Sequence, residues 1–352
     1  PLDWGLGHAT RCIPLIRALN KAGYKVFIAT DGPQQTLLQQ EFPDHSFIKL
    51  PGYRVRYSRT KGWLPIKIMQ QLPALLRIVQ WEHRWLEEVI EQYGIDLVIS
   101  DNRYGLWSKK CPSVFITHQL NIKAPAALER IIQRLHYRFI NRFTTCWVPD
   151  QEQAGGLAGT LSHPIKQPAI PVTYMGLLSR FEQGYGADKQ AVTILLSGPE
   201  PQRTILEEKL VSQLSTFTEP VVLVRGLPTI TSTITVPPHV KVVNHLSAAD
   251  LQAQLLKTKL VIARSGYSSL MDFSRLQCKT LLIPTPGQTE QEYLAKRCAE
   301  KGYAMYVDQS KLNLKEVLIK ADQRHAVFPS FQFFEDADLQ RLLATVTVKA
   351  SF

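Results

Sequence analysis

Short β-branched runs alternate with longer helical stretches, and the alternation occurs twice in this chain of 352 residues. The expected strands are Val26–Thr30, Leu97–Ser100, Val114–Thr117 and Cys146–Pro149, then Val192–Ser197, Val221–Arg225, Val240–Asn244, Leu260–Arg264 and Thr280–Pro284. Strands separated by helices make βαβ units, because a parallel pair needs a long crossover that covers a face of the sheet. The polar, glycine-bearing stretch "YMGLLSRFEQGYGADKQ", Tyr174–Gln190, divides the two series. The expectation is an α/β protein of two doubly wound, Rossmann-like domains facing each other across a cleft. The first takes residues 1–175, the linker 176–190 and the second 191–330, with a C-terminal helix in 331–352 packing back on the first domain.

In such sheets ligands bind beyond the carboxyl ends of the strands, so the loops after strands hold the candidates. The chain opens on "PLDWGLGHATR", a glycine turn ahead of an amphipathic helix pattern. A turn of this kind ordinarily follows a first strand, and a strand of about five residues is expected to precede Pro1. Gly5 and Gly7 would let the backbone approach an anion at the helix start, or simply make a turn. His8 at that mouth is a candidate base near neutral pH, with Asp3 as its orienting partner; the alternative is a structural cap or core histidine. Asp101 in "ISDNRYG" and His118 in "THQL" also follow strands and are rival bases, Asp101 being equally readable as a cap or turn residue.

The second series carries a denser signal. After a buried strand come Arg264, Ser265 and Gly266, then a helix pattern holding Ser268 and Asp272. Gly266 permits close approach, its neighbours expose amides and hydroxyls to an anion, and Asp272 is an acceptor suited to a ribose diol. "PTPGQTEQEYLA" then delivers Gln288, Thr289, Glu290, Gln291 and Glu292, side chains that read hydroxyls; a solvated helix start would account for the two glutamates alone.

These two blocks, Gly5–His8 and Arg264–Val307, resemble the GT-B glycosyltransferases, above all family 28 and the MurG group of UDP-N-acetylglucosamine transferases. "LDWGLGHATR" and "PTPGQTEQEYLA" are also similar to stretches of uncharacterised bacterial proteins. The resemblance implies a nucleotide-sugar donor in the C-terminal domain, an acceptor in the N-terminal domain, and no essential metal or other cofactor. Gly266, Ser265 and Ser268 would then sit at the diphosphate and Asp272 at the ribose, where the family usually has Glu. Gln291 and Glu292 would match the pair that reads the donor sugar, with Gln288 beside them, and Ser197, Gly198 and Arg203 of "SGPEPQR" would complete phosphate binding. Leu246 would read the base, and Arg264 or the Gly266 helix start would stabilise the leaving group. The implied reaction is inverting transfer of a hexose or N-acetylhexosamine, UDP-linked, to a hydroxyl on a lipid-linked or envelope glycan. Rival readings are a nucleotide-sugar 2-epimerase and a non-catalytic nucleotide-sugar binder.

The net charge of +11 favours an anionic partner. Seven Arg or Lys and one Glu lie between Tyr53 and Arg84, interleaved with apolar residues, and Arg130, Arg134, Arg138 and Arg142 recur every four positions beside Leu128, Ile131, Ile132, Leu135 and Phe139. Basic amphipathic segments with tryptophan suit an acidic membrane surface, or form a solvated face over ordinary packing. No nucleic-acid module is recognisable, so a nucleic-acid partner is not expected. Five scattered cysteines give neither a disulfide framework nor metal-ligand spacing, and no apolar run approaches the roughly 18 residues of a membrane span, so a cytoplasmic protein, peripheral on the inner face of the membrane, is expected.

Overall fold

A computed structural model describes residues 1–2, 5–53, 64–123, 126–184, 186, 191–323 and 325–347. The N-terminal half begins with α1 (Leu6–Lys21), whose Ala9, Ile13, Ile16 and neighbours bury one stripe. It continues through β1 (Phe27–Thr30), α2 (Gly32–Glu41) and β2 (Ser46–Lys49), with β1 and β2 paired in parallel. Then come α3 (Leu64–Tyr93), β3 (Val98–Asp101), β4 (Ser113–Ile116), α4 (Ala126–Ile140), β5 (Thr145–Val148) and β6 (Val172–Tyr174). β3 to β6 form a four-stranded parallel sheet in chain order. β4 and β5 are buried at every position, as strands covered on both faces must be.

The second half runs β7 (Ala191–Leu195), α5 (Gln202–Leu214), β8 (Val221–Val224), β9 (Val240–Val243), α6 (Ala248–Leu256), β10 (Thr258–Ala263) and α7 (Tyr267–Arg275). It ends β11 (Thr280–Leu282), α8 (Thr289–Glu300), β12 (Met305–Tyr306), α9 (Leu314–Gln323) and α10 (Asp338–Thr347). Its six parallel strands lie in the order β12-β11-β10-β7-β8-β9. The chain winds one way from β7 to β9, returns to β10 beside β7, and winds the other way. The switch point between β7 and β10 opens a crevice at their carboxyl ends. Gly198 follows β7 and Gly266 follows β10, so both glycine loops are brought to that crevice.

All nine expected strands are present. β2, β6 and β12 had no clear signal, being two to four residues long at sheet edges or with no fully buried face. The expected closing helix is α10. Trp147 Nε1 on β5 donates to Thr345 Oγ1 at 3.2 Å, and Leu177 bridges Phe333, so the chain end returns to the first half beside the linker. One apolar core joins the halves, running from Leu15 and Ala18 of α1 through Trp147 to Leu270, Phe273 and Leu342. No helix among the described residues is long and apolar enough to cross a membrane.

Gly176 has φ +83°, and a Cβ there would lie 2.7 Å from the Phe333 carbonyl carbon and the Phe334 nitrogen, backbone atoms that cannot rotate aside. Gly176→Ala is expected to destabilise the protein by about 1–3 kcal/mol in chemical unfolding, from overpacking and left-handed strain. Unchanged stability would show that the return segment is not packed on the linker.

Candidate functional site

α1 and α7 point their N-terminal ends at each other. Ser268 Oγ donates to Gly7 O at 2.8 Å, and a Cβ on Gly7 would stand 3.1 Å from that hydroxyl. Two helix starts with free amides therefore converge on one place, which favours negative charge there. A Cβ at Gly5, Gly198 or Gly266 would meet nothing within 4 Å, so open space borders all three turns.

The three rival bases form one assembly at this mouth. His8 Nδ1 lies 2.8 Å from Asp101 Oδ2. Arg11, one turn along α1, donates from both Nε (2.8 Å) and Nη2 to Asp101 Oδ1, and from Nη1 to His118 Nδ1 at 3.1 Å. His118 Nε2 reaches across the cleft to Glu290 Oε1 at the start of α8, also 2.8 Å away. The His118 ring stacks on Tyr267, centroids 4.2 Å apart, and the Tyr267 hydroxyl donates to Pro149 O at 2.8 Å. Residues from α1, β3, the loop after β4 and α8 thus meet within one hydrogen-bonded chain, and α7 stacks against it through Tyr267.

Burial penalises the charge on Asp101, yet the Arg11 and His8 contacts outweigh it and hold the carboxyl well below the usual range. For His8, burial and then the positive Arg11 lower the imidazole from 6.5, against the pull of Asp101. His8 is therefore neutral at pH 7, and an ionised Asp101 can only accept, so Nδ1 carries the proton and Nε2 keeps its lone pair. That nitrogen has no protein partner among the described residues, and the side chain is 16% exposed. Glu290 is also held ionised, its burial being outweighed by His118, whose ring nitrogen it meets at 2.8 Å, and by the Arg11 charge. Arg11 was missed by the sequence reading, and only its place three residues after His8 on one helix face offered a signal. Asp101 takes the orienting role expected of Asp3, which lies outside the described residues.

Several expected donor contacts are otherwise engaged. Arg264 is 1% exposed and spends its Nη groups on the carbonyls of Ile283, Pro284 and Gln202, so it ties strand ends together rather than facing a leaving group; burial lowers it to about 10. Arg203 is enclosed by Glu200 and Glu207 instead of meeting phosphate. The Asp272 carboxylate accepts from Ser179 Oγ, Arg180 N and Arg180 Nε, anchoring the linker where a ribose was expected. Ser265 Oγ donates to Gln291 O, Gln291 Oε1 accepts from Thr285 N, and Glu292 Oε1 from Gly287 N, so these three shape the loop before α8. Leu246, half-buried, packs against the shared core after β9. Ser197 is half-buried beside the open turn at Gly198. On the loop into α8, Thr285 Oγ1 and Gln288 Oε1 are buried without a partner, an arrangement that calls for a ligand or water.

Comparison with known proteins fits this geometry. Residues 238–329 match the model of the glycosyltransferase family 28 C-terminal domain, covering β9 to the segment after α9. An uncharacterized glycosyltransferase of Methanopyrus kandleri is 21% identical over 337 residues, 87% of this chain and 90% of the relative. The MurG structure from Acinetobacter baumannii superposes with TM-score 0.52 at 13% identity, covering 97% of this chain and 96% of MurG. A spinosyn rhamnosyltransferase complexed with thymidine diphosphate gives TM-score 0.59 at 15% identity, over 97% and 94%. The fold is GT-B, two Rossmann-like domains, as the sequence resemblance implied.

Because Asp101 is held below its unfolded value of about 3.9, its pairing stabilises the fold in full above about pH 5 and loses effect as pH falls through and below the ordinary carboxylate range. Asp101→Asn leaves Arg11 buried without its counter-charge, and at pH 7 a loss of about 3–5 kcal/mol is expected in denaturant unfolding. The gap to wild type should narrow below about pH 4; a gap independent of pH would remove the ion pair as its cause.

Proposed function

We propose that this protein transfers a sugar from a nucleoside diphosphate sugar, UDP-linked, to a hydroxyl acceptor with inversion, His8 acting as the base. The observation that carries the reading is the His8–Asp101 pair set against the converging starts of α1 and α7. The acceptor hydroxyl gives its proton to His8 Nε2 as its oxygen bonds to the anomeric carbon. The bond from that carbon to the diphosphate breaks, and its electron pair leaves with the nucleotide. The imidazolium formed is stabilised by Asp101, and the growing diphosphate charge meets helix amides at Gly266 and Ser268 rather than a metal. The family 28 match over the second domain supports a donor there, and the thymidine diphosphate held by the spinosyn rhamnosyltransferase supports nucleoside diphosphate chemistry. Thr285, Gln288 and Glu290 replace Gln291 and Glu292 as the side chains offered to the sugar.

The acceptor side favours a lipid-linked or envelope glycan at the cytoplasmic membrane face. α3 and α4 pack together through Ile78, Val79, Leu135 and Phe139, and their outer faces expose Trp81, Arg84, Arg130, Arg134 and Arg138. Ile131, expected on the packed face of α4, is 63% exposed among these arginines. The Tyr53–Arg84 cluster falls partly at 54–63, outside the described residues. Each cation near an acidic surface contributes about 1 kcal/mol.

A thermal-shift screen with UDP, GDP, dTDP, CMP and their sugars should give a selective rise for one nucleotide. His8→Ala is expected to cut transfer by about 10²–10⁴-fold while keeping that shift, and retained transfer would reject the base. In the wild type the acid limb of kcat/KM should lie below pH 6.5, because the active form is the neutral imidazole and its proton affinity is lowered. Liposome flotation should show binding to vesicles with acidic lipid that salt reverses; no binding to them would remove the membrane claim.

A further inference from the structure

Arg11 is buried and contacts two different reacting-site residues at once, a placement the proposed chemistry does not require of a merely structural cation. Its Nε and Nη2 both fall on Asp101 Oδ1, which leaves Oδ2 as the oxygen that faces His8. Its Nη1 can only donate, so the His118 Nδ1 it meets at 3.1 Å must present a lone pair. A neutral His118 then carries its proton on Nε2, where Glu290 Oε1 accepts it at 2.8 Å. The two imidazoles are therefore held in opposite forms: His8 protonated at Nδ1, with Nε2 open to substrate, and His118 protonated at Nε2, with that proton turned to the second domain.

We propose that Arg11 is a positioning residue that holds His118 in the tautomer opposite to the one Asp101 imposes on His8, leaving His8 the one base and making His118 a cross-domain donor to Glu290. The inference deepens the glycosyl-transfer reading and rests on it for the word base, but the tautomers themselves do not. One planar fork brings three donor nitrogens onto two acceptor atoms of two residues, and no other side chain has that geometry. A lysine at this position keeps the charge near Asp101 but is a single point, unable to hold both Asp101 and His118 in the same way. The charged or titratable groups around His8 are Asp101 from β3, Arg11 from α1, His118 from the loop after β4 and Glu290 from α8. Those around His118 are Arg11, Glu290 and His8, with the Tyr267 ring stacked on its face.

The test is long-range proton–nitrogen NMR of the full chain labelled with nitrogen-15 in the histidine rings, with no substrate added, at pH 7.5. His8→Asn and His118→Asn spectra assign the two rings. In the wild type, His8 is expected to show a protonated Nδ1 and an unprotonated Nε2, and His118 the reverse. In Arg11→Lys, His118 should become a mixture of forms while His8 keeps its pattern. Arg11→Met is expected to raise the pH at which His8 gains its second proton, since a positive neighbour is removed while Asp101 stays. Glu290→Gln, which leaves Arg11 and the amide oxygen in place, keeps the His118 pattern and serves as a folded reference should Arg11→Met fail to fold. Like tautomers in the two wild-type rings, or an unchanged His118 pattern in Arg11→Lys, would overturn the proposal. Because this readout needs no donor or acceptor, a negative result in a transfer assay with the expected tautomers would count against the glycosyl-transfer reading and not against Arg11.

Discussion

Arg11 and Asp101 are an ion pair almost without solvent contact, at 2% and 3% exposure. Two charges removed from water survive only where nearly every donor and acceptor is matched, and here that requirement dictates the surroundings. Arg11 places its hydrogen bonds on Asp101 and His118; Asp101 turns its other oxygen to His8. Satisfying the pair therefore fixes the first turns of α1 against the end of β3 and the loop after β4. Chemistry and folding energy draw on the same contacts, and a site built this way cannot loosen without cost to the fold.

The second domain meets the first through a mixture of apolar packing and single polar ties. Glu41 Oε1 of α2 accepts from Ala248 N at the start of α6, Arg297 donates to the carbonyls of Gly155, Gly156 and Leu157, and Tyr293 OH accepts from Thr160 N. Most of these lie around helix ends, where backbone groups lack intrahelical partners. Beneath them the shared core excludes water, so the part-buried ties of Glu41 and Arg297 operate at a lower effective dielectric than surface contacts would.

The architecture was legible because its periodicities are strong: β-branched runs such as "AVTILL" and "LVIA" allow little but buried parallel strands, and the glycines after them mark the crevice. Residue type and loop position also gave His8, Asp101 and His118, but as competitors. That they cooperate depends on Arg11, and a lone arginine in an amphipathic helix carries no pattern that distinguishes it from a solvated one. The donor residues were read less well for a related reason. Sequence shows that Arg264, Asp272 and Gln291 have polar side chains near a glycine turn, but not which neighbours claim their hydrogen bonds first. Carbonyls at strand ends, the Ser179–Arg180 linker and the Thr285 amide claim them here. Glu290, one position before the expected pair, points the way its neighbours do not because successive helical residues differ by about 100°.

The chain passes between the halves twice, once after Tyr174 and again ahead of α10, and the two passages lie side by side, joined where Leu177 meets Phe333. A single strand of backbone would act as a ball joint, leaving the halves free to swivel. Two adjacent ones define a line, and turning about that line is the motion they resist least. That line runs close to the imidazoles: Gly176 N donates to Asp150 O, the neighbouring Pro149 O accepts from the Tyr267 hydroxyl, and the Tyr267 ring lies on His118, so a twist at the passages would be handed to the site through packed neighbours.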